Sequence, residues 1–529
     1  LPTATTFDAG EDSFITIADS SNFTVQSGAT FSMTGRRYSP PANPNYIYHR
    51  AQLDISDSNT FTMQGGSVFS MTTYSIINNL GTGVFDTSGL ATLSITGTLN
   101  TNHAATNRFA TDVTVPYGGL ITHPANTTTK QNWLDLSFTN LTLDSGNFAI
   151  DVNGKGYAAG QGPGGSNTGG GSYAAAGGNG SEVVYGSMTA PTDLGSGGAA
   201  GSGGGAVKIT IAGNLVNNST ITASGSTGGN NCTNSAGTGS GGSIWINFTN
   251  AGTWSGSGSL LALPDISGQF SGCVTGSGGR IAVTGYGTDS HTQTEGAESA
   301  GNPGNQPSLL GAAGTIVKKS AAQSVGKLTI FGSDSILPTK LFSTDPNFDE
   351  YLVSRAPIEV GNGGNFVLPT GSAYTLRGGG LTTIASNSNF IVQSGASYTS
   401  SGYTQGWCFE GYSCYYFYST LTIGSTNSFI AQSGAVVDTG RLSVINNLGT
   451  GTFDTSGMSS LTIGGTLNTD HTATNTFSPN VTVGTYGFIT HPANTTTKQH
   501  WLDLDFTNLT MDPSGVIDVS GKGYAGGSV

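Results

Sequence analysis

Charge is scarce in this sequence. Asp, Glu, Lys and Arg make up 9% of 529 residues, against about a quarter in an ordinary globular chain. Seventeen basic residues stand against thirty acidic ones, a net charge of −13. A nucleic-acid partner needs a basic stripe, so none is expected. No run approaches the eighteen or so apolar residues of a membrane helix, so no span is expected either. Helical periodicity of useful length is missing, and four Cys are too few for a disulfide scaffold in so long a chain. The first residue is Leu1, with no Met and no secretion signal after it.

Glycine is plentiful, at 83 residues, about twice its usual share. Apolar residues nevertheless recur at regular spacing, which disordered low-complexity chains lack. One long stretch occurs twice. INNLGTGVFDTSGL from Ile77 returns as INNLGTGTFDTSGM from Ile445, an offset of 368, and ITHPANTTTKQNWLDL from Ile121 returns as ITHPANTTTKQHWLDL from Ile489. A repeat of this length decides the architecture before any other feature. The sequence reads as one full module over residues 1–367 and the start of a second copy over 368–529. That is about one and a half periods of a longer polymer.

A shorter period lies inside the module. FITIADSSNFTVQSGATFSM from Phe14 is echoed about 38 residues later by AQLDISDSNTFTMQGGSVFSM from Ala51. In the Gly-rich part, about 154–315, GSGG clusters start at Gly201, Gly239 and Gly276, and GAAG starts at Gly311. Each cluster leads into a short apolar-x-apolar run of half-buried strand type. The expected fold is all-β, a right-handed parallel β-helix with about 38 residues per coil. Equivalent strands would stack about 4.8 Å apart, small and β-branched side chains inward. Leu53, Leu93 and Leu134 would lie inward in one stack.

GKGYAAGQGPGG (Gly154 to Gly165), YGSMTAPTDLGSGG (Tyr185 to Gly198), the GSGG-strand series and GAAGTIVKK together resemble the tandem module of very large glycine-rich bacterial surface proteins, which are similar to β-helical adhesins. The resemblance implies a β-helical fold and a secreted or cell-surface location. It carries no catalytic residue.

The residues themselves point the same way. Gly201 to Gly205 has no GxxxxGK[ST] and no following helix, so it reads as a turn repeated in every coil rather than a phosphate loop. His103, His123, His471 and His491 lack companions at ligand spacing and read as loop or surface histidines. Asp345, Asn347 and Asp349 form a D-x-N-x-D run like the start of a calcium loop, without its Gly and distant Glu. Calcium is thus an option, and no other cofactor is expected. Carboxylates are too scattered for hydrolase or lyase chemistry, and no enzyme is expected.

Cys232 and Cys273 lie on loops leading into successive GSGG clusters, and Cys408 and Cys414 share one loop. Two disulfides suit an oxidising exterior, the alternative being four free thiols. Of eleven N-x-S/T sequons, those at Asn22, Asn126, Asn140, Asn494 and Asn508 are the candidate glycosylation sites.

The most individual stretch is YTQGWCFEGYSCYYFY, Tyr403 to Tyr418. Its counterpart in the first copy, Arg36 to Arg50, reads RRYSPPANPNYIYHR. Tyr403, Trp407, Phe409, Tyr412 and Tyr415, with Arg36, Arg37, Tyr38, Tyr46 and Tyr48, are the candidate contact residues. Aromatic faces suit a protein partner or a sugar ring. The alternative is a loop folded back on the coil. The function expected is structural, in an extracellular adhesive or sheath-forming fibre whose partners are copies of itself, a carbohydrate or another cell surface. A carbohydrate-binding or polysaccharide-cleaving β-helix and an ice- or mineral-binding face are the alternatives.

Overall fold

The computed structural model describes residues 1–529 except 19, 39–46, 145, 147, 181–182, 228–236, 266–273, 293–294, 298–308, 333–336, 342–344, 355, 362–363, 386, 406–414 and 526–529. The described residues form short β-strands and no α-helix, and no helix among them is long and apolar enough to cross a membrane. The chain divides into two compact units, Leu1–Ala322 and Gln323–Val529. This division differs from the sequence offset of 368 because a repeat can be cut at any phase.

In the first unit a nine-stranded parallel sheet runs Phe14–Ile17, Ala51–Ile55, Ser75–Asn79, Thr98–Thr101, Leu120–Thr122, Phe148–Asp151, Thr220–Thr222, Ser259–Leu261 and Glu295–Gly296. From Ala51 onward, the chain adds strands to two other parallel stacks before it returns to this sheet. We call one such circuit a rung. Alternate residues turn inward, as the period-2 geometry of a strand requires. Leu53, Ile77, Leu99, Ile121, Ile150, Ile221 and Leu260 are successive register partners on this sheet, and all are buried. Burying each such side chain stabilises by about 1.5–3 kcal/mol, so one ladder of aliphatics runs through most of the unit.

The second unit repeats the plan. Pro357–Gly361, Leu381–Ala385, Ser419–Ile423, Ser443–Asn447, Thr466–Thr469 and Phe488–Thr490 are consecutive members of one parallel sheet. Its core carries an aromatic ladder: Tyr351, Tyr374 and Tyr398 stack at 5.7 and 5.6 Å between ring centroids. Phe390, Phe429 and Phe453 stack beside them at 5.4 and 5.5 Å. In the first unit, Phe23, Phe61 and Phe85 do the same. Both copies close a corner with a buried Asn. Asn59 Nδ2 donates to the Ile17 carbonyl and its Oδ1 accepts from Ser21 N; Asn427 does so with Ile384 and Ser388.

Two expectations need correction. The basic rung is shorter than 38 residues: side chains on neighbouring rungs bond at separations of 24 and 22 residues in the first unit and again in the second. A separation of 38 or 39 appears where a rung carries an extra hairpin, as at Asn59 and Asn427. In the Gly-rich part it is 35 to 39. Leu53, Leu93 and Leu134 are all buried, but they sit on three different sheets, because the spacing between them is not a whole number of rungs of 22 to 24 residues.

The Gly clusters are not turns. Ser240, Gly241 and Gly242 are successive residues, and their N–H groups donate to three different segments, at Ser196 O, Ser277 O and Ala223 O. Gly203, Gly204 and Gly205 donate to Tyr157 O, Ser240 O and Val152 O, and Ser277, Gly278 and Gly279 to Gly171 O, Ala312 O and Ala262 O. Donors that point three ways in three residues describe a backbone of threefold screw, as in polyproline II, which has no internal hydrogen bonds and must find partners outside. The clusters and the described residues of the 154–205 insertion are thus packed side by side as a bonded lattice against the β-sheets. The N–H groups of the three clusters, which would be orphans in a buried loop, are satisfied there. Glycine is required by close approach: a methyl at Gly242 would collide with the Gly205 carbonyl oxygen, and one at Gly278 with that of Ala297.

This makes a direct comparison possible. Gly242→Ala should destabilise by about 1–3 kcal/mol, the usual cost of overpacking. Gly10→Ala, where a Cβ meets nothing within 4 Å, should be nearly neutral. Equal urea midpoints for the two variants would contradict the lattice.

Candidate functional site

Among the described residues, two places interrupt the parallel stacking with antiparallel pairs, and they are equivalent in the two copies. Arg36–Tyr38 pairs Ile47–His49, and Tyr403–Gln405 pairs Tyr415–Phe417. The divergent stretches are therefore hairpins inserted into otherwise matching rungs. Strand register places Arg36 opposite His49, Arg37 opposite Tyr48 and Tyr38 opposite Ile47.

The first hairpin is clamped at its stem by charge. Arg36 Nε lies 2.5 Å from Glu11 Oε1, and His49 Nδ1 lies 2.6 Å from Asp12 Oδ2. The hydrogen bond from His49 holds the Asp12 carboxyl below its ordinary pKa. Tyr48 packs on Tyr74 at 5.5 Å, yet Tyr38, Ile47 and Tyr48 remain 43%, 44% and 48% exposed.

In the second copy the clamp is replaced. Glu11 and Asp12 correspond to Gly378 and Gly379, and Arg36 and His49 to Tyr403 and Phe417. All four charged or titratable groups have gone together. The stem is instead tied by backbone bonds, Gly379 N to Tyr418 O at 2.9 Å and Gly402 N to Arg441 O at 3.0 Å. Tyr416 and Tyr418 are 51% and 49% exposed. Tyr403 and Tyr415 belong to the hairpin by backbone pairing. Tyr46, Trp407, Phe409, Tyr412 and all four cysteines, Cys232, Cys273, Cys408 and Cys414, lie outside the described residues.

The remaining candidates have structural employment. Asp349 accepts hydrogen bonds from Ser324 Oγ, Val325 N and Gly326 N, so its carboxylate anchors a turn. Among the described residues, no group of three or more His, Cys, Asp or Glu is placed to hold a metal ion, and the Asp345–Asn347–Asp349 run is not gathered into one. Asn126 is buried; its Nδ2 donates to Asn132 O and Lys155 O, and its Oδ1 accepts from Gln131 N and Asn132 N. Asn494 makes the same four bonds, to His500 O and Lys522 O and from Gln499 N and His500 N. A glycan on either Nδ2 would break one of them. Asn140 is bonded to Asp112 and Asn214, while Asn22 and Asn508 are exposed.

The histidines belong to the same repeated loop. His103 stacks on Trp133 at 5.1 Å, with Lys130 Nζ 4.9 Å from that ring; His471, Trp501 and Lys498 repeat the group. Sequence reading missed this assembly, although its near-identity in both copies was the signal. One exchange is compensated: Asn102 Nδ2 donates to Asn132 Oδ1 in the first copy, and His500 meets Asp470 at 3.0 Å in the second. His123 is buried and its Nδ1–H donates to the Pro124 carbonyl. Burial pushes its pKa down to about 4.

No protein-family model matches the chain, and no curated protein matches it significantly. The site is defined by its geometry alone.

His123 gives the first unit an acid limit. Its folded pKa is depressed, so the unfolded chain binds more protons between about pH 6.5 and about pH 4. Stability from this group is present above pH 6.5 and falls as pH drops through that window, by about 2–3 kcal/mol. Denaturation of the parent and of His123→Asn at pH 7 and pH 4.5 should show a steeper loss in the parent; parallel curves would contradict it.

Proposed function

We propose that this chain is a length of a secreted or cell-surface structural fibre, built as a right-handed parallel β-helix, whose hairpins make adhesive contacts or bind neighbouring copies. The observation that supports this most is the contrast between rung and hairpin. Rungs keep their core and their buried Asn corners between copies, whereas the stretch at the same place changes from cationic and clamped to aromatic, with one carboxylate and no basic residue. A scaffold held constant while its projections vary is the arrangement of a repeated display rod. The flanks between hairpins are Gly, Ser, Thr and Asn, which offer little apolar area to a partner. The exposed tyrosines offer rings for stacking on sugar or on another protein. Catalysis is no part of this reading.

Truncating a contact aromatic typically costs about 2 kcal/mol, roughly thirty-fold in affinity. Tyr416→Ala combined with Tyr418→Ala should therefore weaken attachment to the native surface, or self-association followed by sedimentation, by about that factor, with the far-ultraviolet β-spectrum unchanged. A double variant that attaches and associates like the parent would remove the hairpin from the function.

A further inference from the structure

Near the end of the first unit, the hydrophobic column closes on a cluster of titratable groups that neither the rungs nor the hairpins require. Trp254 is fully buried on strand Thr253–Gly256. Its ring is covered by the His291 imidazole at 4.4 Å and 16°, and Tyr286 lies 6.1 Å away. Lys318 Nζ sits over the same indole at 4.6 Å. From there it reaches Asp289 Oδ2 at 2.7 Å and Glu295 Oε1 at 3.3 Å. The three side chains are only 25%, 23% and 18% exposed. His291 Nδ1 is 3.8 Å from Glu295, and the ring is wholly buried.

Other lysine pairs differ in kind. Lys208 meets Asp135 at 3.1 Å and Lys327 meets Glu350 at 2.7 Å, each with a single carboxylate. An amine that touches two carboxylates on an aromatic floor has both an electrophile and a proton relay at hand.

We propose that Lys318 and Asp289 condense to an intramolecular isopeptide bond, with Glu295 as the proton relay. In the resting pair the amine is an ammonium. Burial pulls the Lys318 pKa down, but the hydrogen bond to Asp289 and the charges of Glu295 and Asp289 outweigh it and leave the pKa raised. Reaction begins when Glu295 takes one proton from Nζ. The neutral amine then attacks Asp289 Cγ; a nitrogen hydrogen-bonded to Oδ2 already stands near the attack distance of about 3–3.5 Å. The tetrahedral adduct expels one former carboxylate oxygen as water, which takes one proton back from Glu295 and one from the nitrogen. An ammonium and a carboxylate become an amide and water, Glu295 ends as it began, and no oxidant or other reagent is consumed. Holding the partners together supplies the effective concentration that a condensation in water lacks, and positioned proton relay is ordinary general acid–base work.

The bond would join two sheets. Asp289 lies on Thr288–His291, which ladders onto Thr253–Gly256, and Lys318 lies on Thr315–Ser320, which ladders onto Arg280–Tyr286. A covalent tie there would lock the closure of the column against opening.

The test is mass spectrometry of the full chain after reduction. The parent should weigh one water less than its sequence. Trypsin should fail to cut after Lys318, and further digestion with a Glu-specific protease should release a branched peptide with the amide on Asp289. Lys318→Arg and Glu295→Gln should both fold, by far-ultraviolet spectrum, and regain the full mass. A parent at full mass with Lys318 cleavable would overturn the bond. An amide found on Glu295, or a Glu295→Gln chain that still cross-links, would overturn the assignment of roles.

Discussion

Everything in this protein depends on backbone hydrogen bonds made between rungs. Within a rung the strands are two to seven residues long, too short to be stable alone, and their N–H and C=O groups look to the rung above or below. Parallel stacking satisfies them in the sheets, and the threefold Gly segments satisfy them where the sheets end. The two modes share one requirement, that equivalent segments lie at one constant spacing. Aliphatic ladders, stacked rings and buried Asn corners follow from that spacing, since like residues then fall over like. Low charge follows as well, because like charges stacked directly along a ladder repel. Several of the few charges present are paired across rungs, as in Lys208 with Asp135 and Arg108 with Asp86.

Much of this was legible in the amino-acid sequence. Apolar alternation located the strands, and the repeat of Ile77 at Ile445 located the copies. The rung length was not legible, for a physical reason. A 22–24-residue rung with a hairpin added spans nearly the same number of residues as a Gly-rich rung without one, so two different structures produced one apparent period near 38. The Gly clusters were read as turns because glycine usually supplies positive φ. At Gly242 and Gly278 its use is to leave room for a neighbouring carbonyl, which composition does not distinguish. Asn126 reads from sequence as a sequon because a buried amide that organises a loop has no periodicity; only its survival in both copies marks the structural role.

The candidate site was legible by its divergence. Two stretches flanked by matching rungs had drifted apart, and both proved to be hairpins. What the sequence did not reveal is how each is held. Glu11, Asp12, Arg36 and His49 are far apart in the chain and change together between copies, which is how a clamp behaves when its partners touch. The same logic joins Asn102 with Asn132 and Asp470 with His500. Two copies in one chain thus act as a small natural experiment, in which core positions stay, paired positions exchange in pairs, and hairpins vary freely.

The central claim is that the Gly clusters are bonded between rungs as fully as the strands are, and amide hydrogen exchange measures this most directly. Peptides that cover Gly237 to Phe248 report the cluster and the strand that follows it together. If the account holds, the amides of Ser240, Gly241 and Gly242 exchange as slowly as those of strand Ser243–Phe248, since both open only when rungs separate. Exchange of the cluster at the rate of an open loop, with the strand still protected, would contradict it.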